Sequence, residues 1–488
     1  MPDSSRSIAV AVDGRARAWQ AEAAGLARAP LFAAGPERRA GWLWRRLALR
    51  CPPLAEQAQR PSPLPDGVFG TVLDLTAAGD LPPGRGRVWR LTVDGAPLAA
   101  PLPGFAASGR GAVHAVALEE ATARGRRVIG QAVIGRGDAG YGRFLPRLYA
   151  TALLLLRRAL AGAADEAPAE PPAAAPARAL PAALLAYALR RLAERARAVC
   201  LTERWSLGIV DAPIASIAQG GLPPVRWLRH ADPGLYLADP FPAPEGERLY
   251  CEVYDVEGGQ GRIAALELEG DRIATLQPLD LPLAGHLSYP YTWSHDGRTY
   301  GVAESCASRR LVIFVLDAAG GWRPVAELPG PIAAADPTLF AHEGRVWLAY
   351  ADADIDAMAS LCLWHAPHPE GPWTPHAGNP VKIDLRSARP GGTPFLHGGR
   401  LYRPAQDCSA GYGGALALNR IVACTPDRFV EATVRVLQPD PASPYPDGLH
   451  TLSAWRGRTL VDGKRLALEP RDLLRRAGRR LLPRRLWA

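Results

Sequence analysis

The chain has 488 residues, 48% hydrophobic and 22% charged, with a net charge of +9. That length is more than one core can serve, so two or three domains are expected, and the composition is that of a globular protein rather than a disordered one. Nearly all the positive charge is Arg, since Lys occurs only at Lys382 and Lys464; with abundant Ala, Gly and Pro this skew reflects a GC-rich genome rather than a partner.

The seven cysteines (51, 200, 251, 306, 362, 408 and 424) are odd in number and scattered, with no Cys-x-x-Cys pair. That argues against a disulfide framework or a zinc knuckle and predicts reduced thiols in a cytoplasmic protein. The start, MPDSSRSIAVAVDGR, lacks the apolar stretch of a signal peptide. The most apolar run, ATALLLL at 150–156, falls far short of the ~20 residues a membrane span needs.

In chain order, IAVAV at 8–12 reads as a strand and 15–28 as a helix. Strands follow at 70–80, 87–95 and 126–135, and a helix at 144–161. This mixture predicts a small α/β domain over 1–161. Residues 162–181 are Ala/Pro-rich without apolar periodicity, as in a linker. An amphipathic helix is predicted at 182–200, so linker and helix together occupy 162–203.

From 204 to 467 short β-like runs alternate with Gly, Pro and Asp turns, and helical periodicity disappears. Five copies of one pattern align on a closing Gly-Arg or Gly-x-Arg: LADPFPAPEGERLYCEVYD, LSYPYTWSHDGRTYGVAES, AADPTLFAHEGRVWLAYAD, GGTPFLHGGRLYRPAQD and DGLHTLSAWRGRTLVDGK. Their anchors, Arg248, Arg298, Arg345, Arg400 and Arg458, lie 50, 47, 55 and 58 residues apart. About 50 residues of four short strands is one propeller blade. The predicted fold is therefore an α/β N-terminal domain followed by an all-β five-bladed β-propeller. WSLGIVD at 205–211 is predicted to supply the missing outer strand of blade 5 and close the ring.

In such a ring the first strand of every blade lines one central channel, so Asp239 of blade 1 and Asp336 of blade 3 face a common space. Six residues after each anchor stand Tyr254, Glu304, Ala351, Gln406 and Lys464; two residues earlier stand Glu252, Val302, Ala349, Pro404 and Asp462. Alternation puts these on one face, with polar residues where a plain strand would carry Val or Ile. Tyr289 and His450 precede their own anchors, and blade 4 adds Arg386 and Arg389 in DLRSARPGG, with Asp407 after Gln406. Carboxylates that grip hydroxyls, beside aromatics that stack on a ring, suit a sugar. Each residue also has a plain structural reading: Asp-Pro as a turn former, Glu304 as the partner of a nearby Arg, the two arginines as loop caps. WHAPHPEGPWTPH (364–376) holds three histidines without a fourth ligand, so no metal is expected. GYGG at 411–414 reads as a hairpin turn rather than a phosphate cradle.

The series ADPF, HLSYPYTW, AES, ADPTLF, GPWTPHAGNPV, RSARPGG and LYRPAQDCSAGYGG resembles the N-terminal domain of glucosamine inositolphosphorylceramide transferases over about 204–440. That domain is in turn similar to the five-bladed propellers of family 43 glycoside hydrolases. In the plant proteins the glycosyltransferase is a separate C-terminal domain without counterpart here, so the transferase name does not carry over. The resemblance implies Asp239 as the base and Asp336 as the residue that orients and tunes it. The family's blade-4 acid has no match, which leaves Glu304 on blade 2 as the acid. Acids near Arg386 and Arg389 would have their pKa pushed down, and arginine forks favour phosphate or carboxylate, as in related glycoside phosphorylases.

The N-terminal region is faintly similar to formyltransferase-like halves fused to this propeller in bacterial proteins, but lacks the Asn and His-x-Ser-Leu-Leu-Pro signature. His114 is its only histidine. The tail, 468–488, carries seven Arg against Glu469 and Asp472, with Leu and Trp between them; it fits an anionic membrane surface or a solvated tail, and no motif supports nucleic-acid binding.

The expected function is a carbohydrate-active propeller that binds, and transfers or cleaves, an anionic or phosphorylated sugar in surface-glycan or glycolipid metabolism. It would work without a cofactor, through Asp239, Asp336 and Glu304. Glu252, Tyr289, Arg386, Arg389, Gln406, Asp407 and His450 would bind the sugar. The alternative is a non-catalytic glycan or lipid-headgroup module serving a glycosyltransferase. Either would be cytoplasmic or peripheral to a membrane.

Overall fold

The computed structural model describes residues 8–13, 16–35, 51–56, 61–64, 69–81, 86–100, 102–105, 113–122, 125–137, 140–162, 180–232 and 234–468. The basic tail and most of the Ala/Pro-rich segment lie outside them. The chain divides into two units, Met1–Glu194 and Arg195–Ala488. No described helix is long and apolar enough to cross a membrane.

The N-terminal unit is built on one mixed sheet. Its parallel part runs Ser62–Pro63, Leu31–Gly35, Ile8–Asp13, Thr71–Asp74 and Arg87–Val93, and the antiparallel strands Val113–Thr122 and Gly125–Gly135 extend it. Ile8–Asp13 is buried at four successive positions, as a strand covered on both faces must be. The helix Tyr141–Leu160 buries Phe144, Leu145, Leu148, Ala152, Leu155 and Leu156 on a single stripe. The strands Leu31–Gly35 and Val113–Thr122 had no counterpart among the sequence expectations.

The second unit is the five-bladed propeller. Blade 1 comprises Leu235–Pro242, Leu249–Asp255, Gln260–Glu269 and Arg272–Pro278. Blade 2 comprises Ser288–His295, Arg298–Glu304, Val312–Leu316 and Trp322–Glu327. Blade 3 comprises Ala334–His342, Arg345–Asp352, Ser360–Ala366 and Thr374–Pro375, with Lys382–Ile383 paired onto its third strand. Blade 4 comprises Phe395–His397, Arg400–Asp407, Ala415–Cys424 and Phe429–Leu437.

Blade 5 joins the two ends of this unit. Leu452–Trp455 and Arg458–Leu468 come from its end, and Leu201–Val210 and Arg226–Trp227 from its start. Leu201–Val210 pairs with Arg458–Leu468 over ten positions, from Thr459↔Val210 to Leu468↔Leu201. The ring-closing segment is thus the third strand of blade 5, and Arg226–Trp227 is the outermost. Between them sits a short helix, Ile214–Gly220, in a region expected to have none.

The repeated anchor has a backbone cause. In blades 2, 3, 4 and 5 the two residues before the Arg both have positive φ: Asp296 and Gly297 (48°, 72°), Glu343 and Gly344 (49°, 70°), Gly398 and Gly399 (56°, 71°), Arg456 and Gly457 (47°, 72°). These are two-residue turns of the primed type, whose twist matches that of the strands they join, and Gly is favoured at the second position. The Arg is simply the first residue of the strand that follows.

Candidate functional site: an acid-lined channel centre

The inner strands of blades 1, 2 and 3 share a second device. Ala238-Asp239-Pro240, Ser288-Tyr289-Pro290 and Ala335-Asp336-Pro337 each put their middle residue in the left-handed region, at φ 53°, 49° and 50°. Pairing with the second strand skips at each of these points. The skipped residue is a bulge whose N–H is lost to the ladder and whose side chain is turned inward. For Tyr289 that conformation is strained, and such strain gathers at functional sites.

Each stranded N–H is taken by a carboxylate from the preceding blade. Asp462 of blade 5 accepts from Asp239 N at 3.0 Å, Asp239 accepts from Tyr289 N at 3.2 Å, and Glu304 accepts from Asp336 N at 3.1 Å. The acids therefore run as a relay from blade 5 through blades 1 and 2 to blade 3. Chain repetition had placed Asp239 and Asp336 on one axis; the relay is what fixes them there.

On one side of the centre, Asp462 also accepts from the backbone N–H of His450 and Thr451, both at 3.0 Å, and lies 2.5 Å from His450 Nδ1. His450 Nε2 points toward Asp239 Oδ1 at 3.7 Å, and Thr451 Oγ1 donates to the same oxygen at 2.8 Å. Trp205 stacks on the imidazole with centroids 4.0 Å apart. Gly413, at φ 56°, is required here: a Cβ would stand 2.6 Å from the Trp205 ring. Burial works against charge on His450, but Asp462 and Asp239 outweigh it and hold its pKa above the ordinary value. Burial likewise opposes the charge on Asp462, yet His450 keeps its pKa low. Atoms of Asp239, His450 and Asp462 lie within 4.8 Å of one another, the one metal-type grouping among the described residues. The hydrogen bonds among them already account for their arrangement.

On the other side, Arg389 donates to Asp336 from Nε at 2.6 Å and from Nη2 at 3.2 Å, and Gln406 Nε2 donates to the same carboxylate at 2.5 Å. Arg389 Nη2 also lies 3.5 Å from Glu304, and the guanidinium sits over the Tyr412 ring at 5.1 Å. The loop that aims it is itself held: buried Arg403 donates to the carbonyls of Ser387 and Ala388 while pairing with Glu431. Tyr289 Oη accepts from Gly392 N at 2.7 Å and lies 3.0 Å from Thr338 Oγ1, tying blades 2, 3 and 4 together.

The two expected anion-gripping arginines are thus corrected. Arg389 is 5% exposed and committed to Asp336 and Glu304, and Arg386 is held by Asp384. The pKa expectation is corrected as well. Burial, then the charge on Asp336, raises Glu304 to about 8 in spite of Arg389. Burial raises Asp239 to about 6, with His450 opposing and Asp336 and Asp462 adding. Glu252 is pushed up by burial and then by Asp239, and its Oε1 lies 3.4 Å from His286 Nε2.

Asp239, Tyr289, Glu304, Asp336, Arg389, Gln406 and His450 meet in this network. Glu252 stands beside it, within electrostatic reach of Asp239 and Glu304. Arg386 does not join it, and Asp407 is engaged in capping Ser409 N at 2.9 Å. Sequence reasoning placed Asp462 on the polar face of the repeat without giving it a role, and passed over Thr451, Trp205, Tyr412 and His286. Asp462 had a signal, since it occupies in blade 5 the position of Glu252 in blade 1. Tyr412 lay in the GYGG segment read as a turn. In the other unit, His114 is fully buried with Nδ1 2.8 Å from Asp94.

Fold and centre together define a five-bladed propeller whose inner strands present a buried cluster of carboxyls with Arg389 and His450 set among them. Residues 225–455 match the family model described as Glucosamine inositolphosphorylceramide transferase 1, N-terminal, so the propeller carries that domain's pattern, as its motifs imply. The protein named Glucosamine inositolphosphorylceramide transferase 1 from Arabidopsis thaliana is 33% identical over 213 residues, 41% of this chain and 28% of the plant protein. Its namesake from Oryza sativa subsp. japonica is 30% identical over 213 residues, 42% and 28% of the two lengths. The match therefore spans under a third of these relatives. Solved structures that resemble the chain include a thermostable family-43 glycoside hydrolase (17% identity, TM-score 0.30, 43% of this chain and 77% of that one). Another is a GH43_1 enzyme from Xanthomonas citri (14% identity, TM-score 0.32, 56% and 92%). The family match begins at residue 225 and does not reach the N-terminal unit.

Proposed function

We propose that the channel centre binds the sugar end of a glycan or glycolipid headgroup and acts on its glycosidic bond, with Asp239 as base and Glu304 as acid. The observation that carries this reading is the separation of two buried carboxyls, Asp239 at about 6 and Glu304 at about 8. At neutral pH one is ionised and the other holds a proton, the division of labour that bond cleavage or transfer needs. Asp336, paired with Arg389 and held by the buried Gln406 amide, orients the pair, while Tyr412 offers a contact to the sugar ring. The centre suits a neutral or cationic sugar better than an anionic one, because its carboxyls outnumber Arg389, which is already paired with Asp336. A phosphate on the same substrate would lie outside it.

One observation favours a second reading, a non-catalytic sugar-binding module: Asp239 and Glu304 each also accept a bulge N–H, a structural duty independent of chemistry. Asp239→Asn and Glu304→Gln keep an oxygen for that N–H and separate the two. With a panel of aryl glycosides and glycosyl inositol-phosphate headgroups, catalysis predicts turnover falling roughly 10²–10⁴-fold in either variant with sugar binding retained. The wild-type rate would have limbs near pH 6 and pH 8, and Glu304→Gln would lose the alkaline one. Sugar binding by calorimetry without product by mass spectrometry would establish the module instead. Turnover equal to wild type in both variants would remove the assigned roles.

A further inference from the structure

One carboxyl of the channel centre takes no part in the relay. Glu252 lies opposite Ala238, the residue before the bulge of blade 1, and Glu304 lies opposite Ser288, the residue before the bulge of blade 2. The two hold equivalent places in neighbouring blades. Glu304 takes the bulge N–H of the next blade, Asp336 N. The N–H that would fall to Glu252 is Tyr289 N, and Asp239 takes it instead. Glu252 is 7% exposed, and among the described residues its ion-pair partner is His286, 3.4 Å away. It therefore keeps acceptor capacity that the fold does not use.

His286 is built to face it. Its Nδ1 accepts from Gly261 N at 2.9 Å, which leaves the ring proton on Nε2, the atom on the Glu252 side. Burial lowers its pKa, so the imidazole is neutral at pH 7. The loop that carries it is fastened by Gln260 Nε2 donating to Gly285 O at 2.8 Å and by Leu287 N donating to Gly261 O at 3.1 Å. Gly261 is a glycine for want of room: a Cβ there would stand 2.2 Å from Glu252 Oε1 and 2.6 Å from His286 Cε1. Tyr254, two residues on from Glu252, shares its face of the strand. Its ring stacks on that of its cross-strand partner Tyr236 at 4.6 Å and meets His286 in a T-shaped contact at 6.2 Å. Tyr254 is half-buried and the His286 side chain is 39% exposed, so this wall leads from the buried carboxyl toward solvent.

We propose that Glu252, His286 and Tyr254 form a second subsite, which takes the hydroxyl-bearing ring joined to the sugar at the channel centre. The inference rests on the sugar-binding reading above. The chemistry selects the ligand. A neutral N–H donor and a carboxyl 3.4 Å apart can each take one of two adjacent ring hydroxyls, while the tyrosine covers the C–H face of the ring. A phosphate finds no cation here, because His286 is neutral and Glu252 lies within electrostatic reach of Asp239 and Glu304.

The test uses the full chain in the Glu304→Gln form, so that the glycosidic bond stays intact. Calorimetry compares methyl glycosides of the common hexoses and hexosamines with the disaccharides that extend each by one ring. At least one disaccharide should bind roughly tenfold more tightly than its parent glycoside. His286→Ala and Tyr254→Ala should each cut that ratio roughly fivefold, the worth of one neutral hydrogen bond or ring contact. Both side chains are half-buried, so the melting temperature should hold within a few degrees. If the parent glycosides bind and no disaccharide binds more tightly, or if the ratio survives in either variant, the subsite is overturned while the centre stands. If neither the parents nor the disaccharides bind, in this form or in the wild-type chain, the sugar-binding reading itself fails and takes the subsite with it.

Discussion

Glu304 shows how far burial can move a single group. A carboxyl 3.5 Å from an arginine would ordinarily ionise more readily, yet desolvation and Asp336 outweigh Arg389 and raise it to about 8. In the unfolded chain the same group loses its proton near 4.5. Between those values the unfolded state binds fewer protons than the native one, so this residue's contribution to stability is fully present at acid pH and is lost as pH rises through about 8. Each unit of separation is worth about 1.4 kcal/mol, shared in practice with neighbouring groups. Glu304→Gln, which keeps the acceptor for Asp336 N and cannot ionise, should therefore raise the melting temperature relative to wild type at pH 8 and change it little at pH 5. Thermal melts at the two pH values check this; an equal shift at both would show that the carboxyl does not titrate as described.

At the scale of the strand, the bulge before each Pro is what turns side chains toward the axis, and the carboxylate relay is what makes three such bulges tolerable. Blade 4 solves the same problem differently. Gly391 and Gly392 bring its chain against the inner strand of blade 5, where Thr393 N donates to Leu452 O at 2.9 Å and Leu452 N to Gly391 O at 3.0 Å. Gly392 has φ 129°, and a Cβ there would stand 1.9 Å from the Leu452 carbonyl oxygen. Gly392→Ala should cost about 3 kcal/mol or more by breaking this seam and the Tyr289 hydrogen bond that depends on it. The denaturant midpoint measures the loss, and a shift below about 0.5 kcal/mol would mean the seam relaxes without cost.

At the scale of the molecule, the ring is closed by ten paired positions between Leu201–Val210 and Arg458–Leu468. Leu207 and Ile209 enter a core with Leu237, Leu249 and Leu460, and Val210 enters another with Leu416, Leu452 and Val461. Residues 195–468 should fold cooperatively on their own, with near-UV circular dichroism and a single melting transition. Residues 222–468 should not, because blade 5 would lose its third strand and expose an open edge. If the shorter chain melts like the longer one, closure is not what holds the ring.

The architecture was legible in the sequence because it is written five times. Each turn needs a Gly before the anchor Arg, each strand needs alternation, and a period near 50 residues admits few other folds. Asp239, Tyr289 and Asp336 were legible for the same reason, since they recur at one position. The partners of those residues were not. Whether Arg389 grips a ligand or neutralises Asp336, and whether Glu304 is pushed down by an arginine or up by burial, depends on which groups from four blades are brought within hydrogen-bonding distance and how much water is left among them. Residues far apart in the chain, such as Asp239 and Asp462, set each other's charge and backbone only after the ring closes. The sequence by itself therefore determined the repeat, the turns and the inward-facing positions, which follow from local backbone geometry and period. Tertiary structure alone decided which acids are charged and what each one holds, because desolvation and pairing are properties of the assembled channel.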